Sequence, residues 1–192
     1  MLTGLAPLVS SRTRVLILGS FPGVASLAAQ QYYGHPQNHF WKILQAIWPS
    51  SPMPSGADSY QSRSNWLLDR QLGVWDVYAS CEREGSLDSR IRRPVVNDFA
   101  AMLVQCPALE AIAHNGGESF KHARKIAPTL ATSCAALPPE GAISPWGGPA
   151  AKCRETAIAF YRLPSTSPAN ASWSFERKLA AWREVFEKHG LV

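Results

Sequence analysis

No pair among the chain's four cysteines (Cys81, Cys106, Cys134, Cys153) has C-x-x-C spacing, and no His/Cys group is spaced as a zinc site. A structural zinc is therefore not expected. Nor is an iron–sulfur cluster, which needs a tighter cysteine set. The reading is no metal and no cofactor, with reduced thiols in a cytoplasmic protein. Long apolar runs are missing too. No stretch is long enough to span a bilayer, and the N-terminus carries no apolar run with a cleavage site, so no membrane partner is expected. Internal repeats are absent, and monomer is the default state. Acidic residues are the scarcer charge, 14 Asp+Glu against 19 Lys+Arg, for a formal net charge of +5. That balance favours an anionic partner such as nucleic acid.

What is present is a folding composition. Hydrophobic residues make up 46% and charged residues 17% of 192 residues, enough for one domain, 1–192, with a substantial core. Arg14-Val15-Leu16-Ile17-Leu18-Gly19 reads as a buried strand. Residues 39–48 have helical periodicity and stop at Pro49. Residues 49–58 form a Ser/Pro/Gly-rich loop, and Tyr60 to Leu72 can be helical. Val74-Trp75-Asp76-Val77-Tyr78 reads as a second strand. Asn97 is the expected N-cap of a helix over Asp98 to Gln105. Leu109 to Ala113 reads as a third strand, followed by a helix over Glu118 to Ile126. Residues 131–150 show no periodicity. Ala157 to Leu163 reads as a fourth strand, and Ser172 caps a terminal helix to His189, closed by Gly190. That helix is expected to be solvated, Lys178 included, and to pack through Trp173, Leu179, Trp182 and Phe186. Alternating strands and helices predict a three-layer α/β/α sandwich with a central, mostly parallel four-stranded sheet. Such sheets bind ligands beyond the carboxyl ends of their strands.

The chemistry-bearing segments fall at those ends. Gly19-Ser20-Phe21-Pro22-Gly23 is a rigid turn that brings backbone close to a ligand. Phe21 there either stacks on a planar base or fills the core. In Tyr32-Tyr33-Gly34-His35-Pro36-Gln37-Asn38, Tyr33 is a candidate pocket wall and His35 a candidate contact to a base or phosphate. Asn38 either caps the following helix or orients a water molecule, and the two roles are compatible. Phe40, Trp41, Leu44 and Ile47 recur at helical spacing and belong to the core.

Taken in order, these segments resemble one family. The Gly19 to Gly23 turn is similar to the first motif of uracil-DNA glycosylases, and His35-Pro36-Gln37-Asn38-His39-Phe40-Trp41-Lys42 resembles the segment that follows it in the mismatch-specific branch. That branch has a catalytic Asn at the third position of the first motif, where this chain has Phe21. The pattern is more similar to the hypoxanthine-DNA glycosylases, family 6 of the superfamily. That family shows G-S-F-P, S-L, Y-Y-x-H-P-x-N-x-F-W, W-D-V, G-S-L-D-S and L-P-S-T-S-P-A. Here they stand as the Gly19 turn, Ser26-Leu27, the Tyr32 to Trp41 segment, Trp75-Asp76-Val77, Gly85-Ser86-Leu87-Asp88-Ser89 and Leu163 to Ala169.

The resemblance implies a uracil-DNA glycosylase-like fold, Asn38 as the catalytic residue, and DNA with a deaminated base as partner. The uracil-specific enzymes carry a catalytic His in the second motif, and this chain has none between Leu163 and Asn170. Hypoxanthine is therefore the expected base. The alternatives are uracil or mismatch-specific excision on the same fold, or a non-catalytic DNA-binding member. No lysine stands in the first motif to form a Schiff base, so a monofunctional hydrolase is expected. Backbone N–H groups of Ser20 to Gly23 are candidate donors to the leaving base. Asp88 either accepts from a ring N–H of the base, stabilises the cationic sugar, or satisfies its own loop. Asp76 is read first as a structural hydrogen-bond partner and second as a base contact. Asn115 either caps the next helix or touches the nucleotide. Ser165, Thr166, Ser167 and Pro168 are phosphate candidates or an ordinary turn. Arg92 and Arg93, with Arg90, are either backbone contacts to DNA or a solvated face.

Overall fold

The computed structural model describes residues 1–55, 59–128 and 158–192. The expectations for 131–150, for Cys134 and Cys153, and for a strand start at Ala157 lie outside the described residues. In chain order the elements are β1 (Leu2–Thr3), β2 (Val15–Gly19), α1 (Val24–Ala29), α2 (Phe40–Ile47), α3 (Ser59–Asp69), β3 (Leu72–Asp76), β4 (Tyr78–Glu82), β5 (Arg92–Val96), α4 (Phe99–Gln105), β6 (Ala111–Asn115), α5 (Gly117–Phe120), β7 (Ala159–Leu163) and α6 (Phe175–Lys188).

The central sheet has the order β3-β2-β6-β7 and is parallel throughout. Every residue of β2 and β3 is buried, as expected of parallel strands covered on both faces. Each fully buried Leu or Ile of β2 contributes about 1.5–3 kcal/mol. From α2, Phe40, Ile43, Leu44 and Ile47 are buried against this core, as are Trp182, Val185 and Phe186 of α6. The registers align Gly19 with Asp76, Leu18 with His114 and Asn115 with Leu163. The carboxyl ends of the four strands therefore lie at one edge. The chain leaves β2 towards β3 and leaves β6 towards β7, so a crevice opens between β2 and β6. Among the described residues, no helix is long and apolar enough to cross a membrane.

The local structure departs from expectation in five respects. The run read as one strand, Val74 to Tyr78, is two: β3 and β4 separate at Val77, and β4 joins an antiparallel sheet of order β1-β4-β5. A short alternating run with no Gly or Pro in it has no marker for a change of sheet. The corner is set by the long-range bonds Val77 N–H to Gly19 O, 2.9 Å, and Tyr78 N–H to Ser20 O, 3.1 Å. Asp98, not Asn97, caps α4 by accepting from Ala101 N–H at 3.0 Å, while Asn97 Nδ2 donates to the Asp76 carbonyl at 2.8 Å. Ser174, not Ser172, caps α6. On that helix, Lys178 is buried and donates to Asn170 O at 2.9 Å. Trp173 precedes the helix and is exposed, with the Arg177 guanidinium 4.5 Å from its ring centroid.

Candidate active site

The crevice opens into a cavity of about 550 Å³. Residues 19–23, Tyr33, His35, Asn38, Asp76, Asp88, Asn115 and residues 165–168 all line it. Every residue expected at the site is thus gathered there except Arg90, which pairs with Glu84 at 3.8 Å, and the pair Arg92 and Arg93. Those two lie on β5, all of which is exposed. Arg93 pairs with Glu82 at 3.2 Å, and Arg92 donates to the carbonyls of Ser89 and Ile91, each at 3.0 Å.

Two carboxyl groups sit at the floor. Asp76 is buried, and its Oδ2 has no hydrogen-bond partner among the described residues. The structural bond expected of this residue is made by its main-chain carbonyl, not its side chain. Burial, reinforced by the nearby Asp88 charge and opposed by Arg83, pushes the Asp76 carboxyl up to about 7. Asp88 accepts from Ser20 Oγ at 2.7 Å. Its carboxyl is also raised, by burial first, against the stabilising Ser20 bond. A buried carboxyl poised near neutrality in a cavity is a common mark of a reacting or ligand-reading group.

Gly19 lies against Asp76. A Cβ there would stand 2.2 Å from Asp76 Oδ1 and 3.6 Å from the Tyr33 hydroxyl. Gly19→Ala is expected to displace the Asp76 carboxyl and to cost about 1–3 kcal/mol of stability, as overpacking does. A thermal melt would check this, and a melt unchanged from wild type would refute it.

Tyr33 forms the wall expected of it. Its φ of 54° is unusual for an aromatic residue, and its ring stacks on Phe40 with centroids 3.9 Å apart. Burial raises the phenol far above its ordinary range, so it stays protonated. Phe21 fills the core, at 6% exposed, and also lines the cavity. Asn38 does not hold the helix-cap position, one of its two readings. Its Oδ1 accepts from Phe40 N–H at 2.9 Å at the start of α2, and the residue lines the cavity. This is a bond to the second residue on, and His39 stands in the cap position itself. Asn115 neither caps a helix nor keeps its amide free. It donates to Tyr33 Oη and Thr166 Oγ1 and accepts from Thr166 N–H, at 3.0, 2.9 and 2.9 Å. It ties the first pocket wall to the second. His35 is exposed, and its Nδ1 accepts from Gln37 N–H at 3.2 Å.

The loop after β7 is fixed from within and from behind. Ser165 Oγ accepts from Ser167 N–H, and Asn170 Nδ2 donates to Ser165 O. Thr166 O accepts from His39 N–H, Pro164 O from Trp182 Nε1, and Asn170 O from Lys178. Lys178 and Arg83 were not legible as site residues. Arg83 places its guanidinium 5.1 Å from the Phe21 ring centroid and donates to the Pro22 carbonyl. It thereby clamps the first turn and supplies positive charge near both carboxyls. Its one sequence signal is its place between β4 and the G-S-L-D-S segment.

Comparison with known proteins agrees with this geometry. The family model of the Uracil DNA glycosylase superfamily matches residues 6–187. The chain is 37% identical over 123 residues to a hypoxanthine DNA glycosylase of Methanosarcina barkeri (strain Fusaro / DSM 804), covering 62% of this chain and 73% of that protein. It is 34% identical over 119 residues to the hypoxanthine DNA glycosylase of Methanosarcina acetivorans, with the same coverage, 62% and 73%. Its fold is similar to the solution NMR structure of a candidate uracil DNA glycosylase from Methanosarcina acetivorans. The TM-score is 0.72 at 27% identity, over 97% of this chain and 96% of that one. A parallel sheet of this order, a first turn after its central strand and a family match across nearly the whole chain place the protein in the uracil DNA glycosylase superfamily.

Proposed function

We propose that the protein excises hypoxanthine from DNA by hydrolysing the N-glycosidic bond, leaving an abasic site, and that it works as a monomer. The observation that carries this reading is the buried Asp76 carboxyl, its Oδ2 without a partner among the described residues, on the lining of a cavity that Phe21, Tyr32 and Tyr33 also line. An unsatisfied buried polar atom needs an explanation. A base bearing a ring N–H and a carbonyl oxygen would supply its partners.

The base must first leave the stack. Within the cavity, Phe40 backs one face of Tyr33, leaving the other for the base, while Arg83 backs Phe21. Breaking the bond between C1′ and the base nitrogen sends the electron pair to the base and leaves oxocarbenium character on the sugar. Neutral Asp76 accepts from the ring N–H and donates to the base, where negative charge develops. The N–H groups of Ser20, Phe21 and Gly23 add preorganised donors. Asp88, held by Ser20, faces the cationic sugar. Two carboxyls in different surroundings thus take different roles. Asn38 holds the attacking water. A carboxamide is no general base, so its contribution is position. The water oxygen bonds to C1′ and its proton is released. The homologues' names support hypoxanthine as the base.

Duplexes carrying one hypoxanthine, uracil, xanthine or normal base, treated with alkali after incubation, test the reading. Strand breaks at hypoxanthine, and none without alkali, are expected. Breaks chiefly at uracil would reassign the base, and tight binding without breaks would make the protein a non-catalytic DNA-binding member.

A further inference from the structure

We propose that Leu87 is the side chain that enters the duplex and holds open the space left by the extruded nucleotide; this rests on the DNA glycosylase reading above. Of the exposed large hydrophobic side chains among the described residues, Leu87 alone lines the cavity, and it is 50% exposed. A lone exposed leucine is ordinary on a protein surface. This one is distinguished by how it is held.

Gly85, at φ 67°, turns the chain after β4. Ser86 Oγ then accepts from Val24 N–H at 3.0 Å, and Asp88 accepts from Ser20 Oγ at 2.7 Å. The two neighbours of Leu87 are therefore fastened, Asp88 to the first turn of the active site and Ser86 to the start of α1 that follows it. Leu87 itself has extended backbone, φ −81° and ψ 128°. Successive side chains of an extended segment point to opposite sides, so pinning Ser86 and Asp88 inward presents Leu87 outward. A rigidly presented apolar side chain is what separating two stacked bases requires, and leucine is among the residues used for it.

The surroundings fit a nucleic acid. Arg90, the next cation along, pairs with Glu84 at 3.8 Å, whereas Arg92 is exposed and bonded to two carbonyls, and no carboxylate pairs with it among the described residues. It is available to a phosphate flanking the gap. The opposite rim, residues 165–170, offers serines, Pro168 and Ala169 but no long apolar side chain.

Single-turnover base release should be measured on a hypoxanthine duplex and on the single strand of the same sequence. Leu87→Ala is expected to slow the duplex reaction about tenfold or more, because a stack must be opened, while the single-strand rate stays within about twofold. Leu87→Phe should retain the duplex rate. A second duplex carries 2-aminopurine beside the lesion. Its fluorescence should rise when the wild type binds and stay low with Leu87→Ala. That signal needs no bond cleavage, so it separates failure of this role from failure of the glycosylase reading. Equal losses on both substrates, an unchanged duplex rate with unchanged fluorescence, or a duplex-specific loss that follows Pro168→Ala instead would overturn the proposal.

Discussion

Asn38→Ala is expected to lower the rate of base release about a hundredfold or more, the order of loss that mispositioned reactants bring, while costing the fold only about 1 kcal/mol. The two effects come from different halves of one carboxamide. Oδ1 is committed to Phe40 N–H at 2.9 Å and starts α2. That bond fixes the side-chain torsions, and so aims the rest of the amide without further cost. The Nδ2 group has no partner among the described residues and lies on a residue that lines the cavity. Asn38→Asp separates the halves. It keeps an oxygen for Phe40 N–H and adds a negative charge near the start of a helix, where charge of that sign is favourable, but it removes both amide donors. Its melting temperature should match the wild type and its rate should fall nearly as far as that of the alanine variant. A fast Asn38→Asp enzyme would show that only the oxygen matters. A slow and equally unstable alanine variant would reduce Asn38 to a helix-start residue.

How well the sequence foretold this arrangement differs by kind of residue. Gly19, Asp76, Asn115 and Ser165 were legible because strand ends in a parallel sheet converge whatever their details, and the strands announce themselves as apolar runs. Their partners were not. Asn115 reaches Tyr33, 82 positions earlier, and only the folded chain brings the two together, so reading it as a helix cap followed from its neighbours alone. Lys178 looks like any solvated lysine of an amphipathic helix. It is buried because Asn170 O lies over that turn of α6, and burial pulls its amine below the usual range. Arg83 stands in a mixed-charge stretch, Glu82-Arg83-Glu84, that suggests an exposed face. The missed antiparallel sheet is what carries it under Phe21. Periodicity reports which face of an element is covered, not what covers it, so the site was readable as a set of candidates and the scaffold that orders them was not.

That scaffold keeps one group at a thermodynamic disadvantage, and Asp76→Asn should expose it. In the unfolded chain the Asp76 carboxyl titrates near 3.8, and in the fold burial raises it to about 7. Below about pH 4 both states are protonated and the residue is neutral to stability. Between about 4 and 7 only the unfolded chain ionises, so the folded state loses ground as pH rises. Above about 7 the full difference is present, on the order of 4 kcal/mol for a gap of about three pH units. Asparagine never ionises. The variant should therefore melt about 10 °C higher than the wild type at pH 8, with the gap closing as pH falls towards 4. Activity should diverge in a matching way. The neutral acid has one donor and one acceptor for the base, and the amide has both. The wild type should accordingly slow as pH rises through about 7, because an ionised floor repels the charge developing on the leaving base, whereas Asp76→Asn should stay active with a flat profile. Asp76→Ala offers neither group and should be slow at every pH. If the asparagine variant kept the alkaline decline, the titrating group would lie elsewhere, with Asp88 the next candidate. If it gained no stability at pH 8, the orphaned oxygen would not be the burden on the fold that its burial implies. A site that weakens its own fold in this way is consistent with a carboxyl kept for a ligand, since a hydrogen-bond partner within the protein would have relieved the strain and occupied the group the base must find.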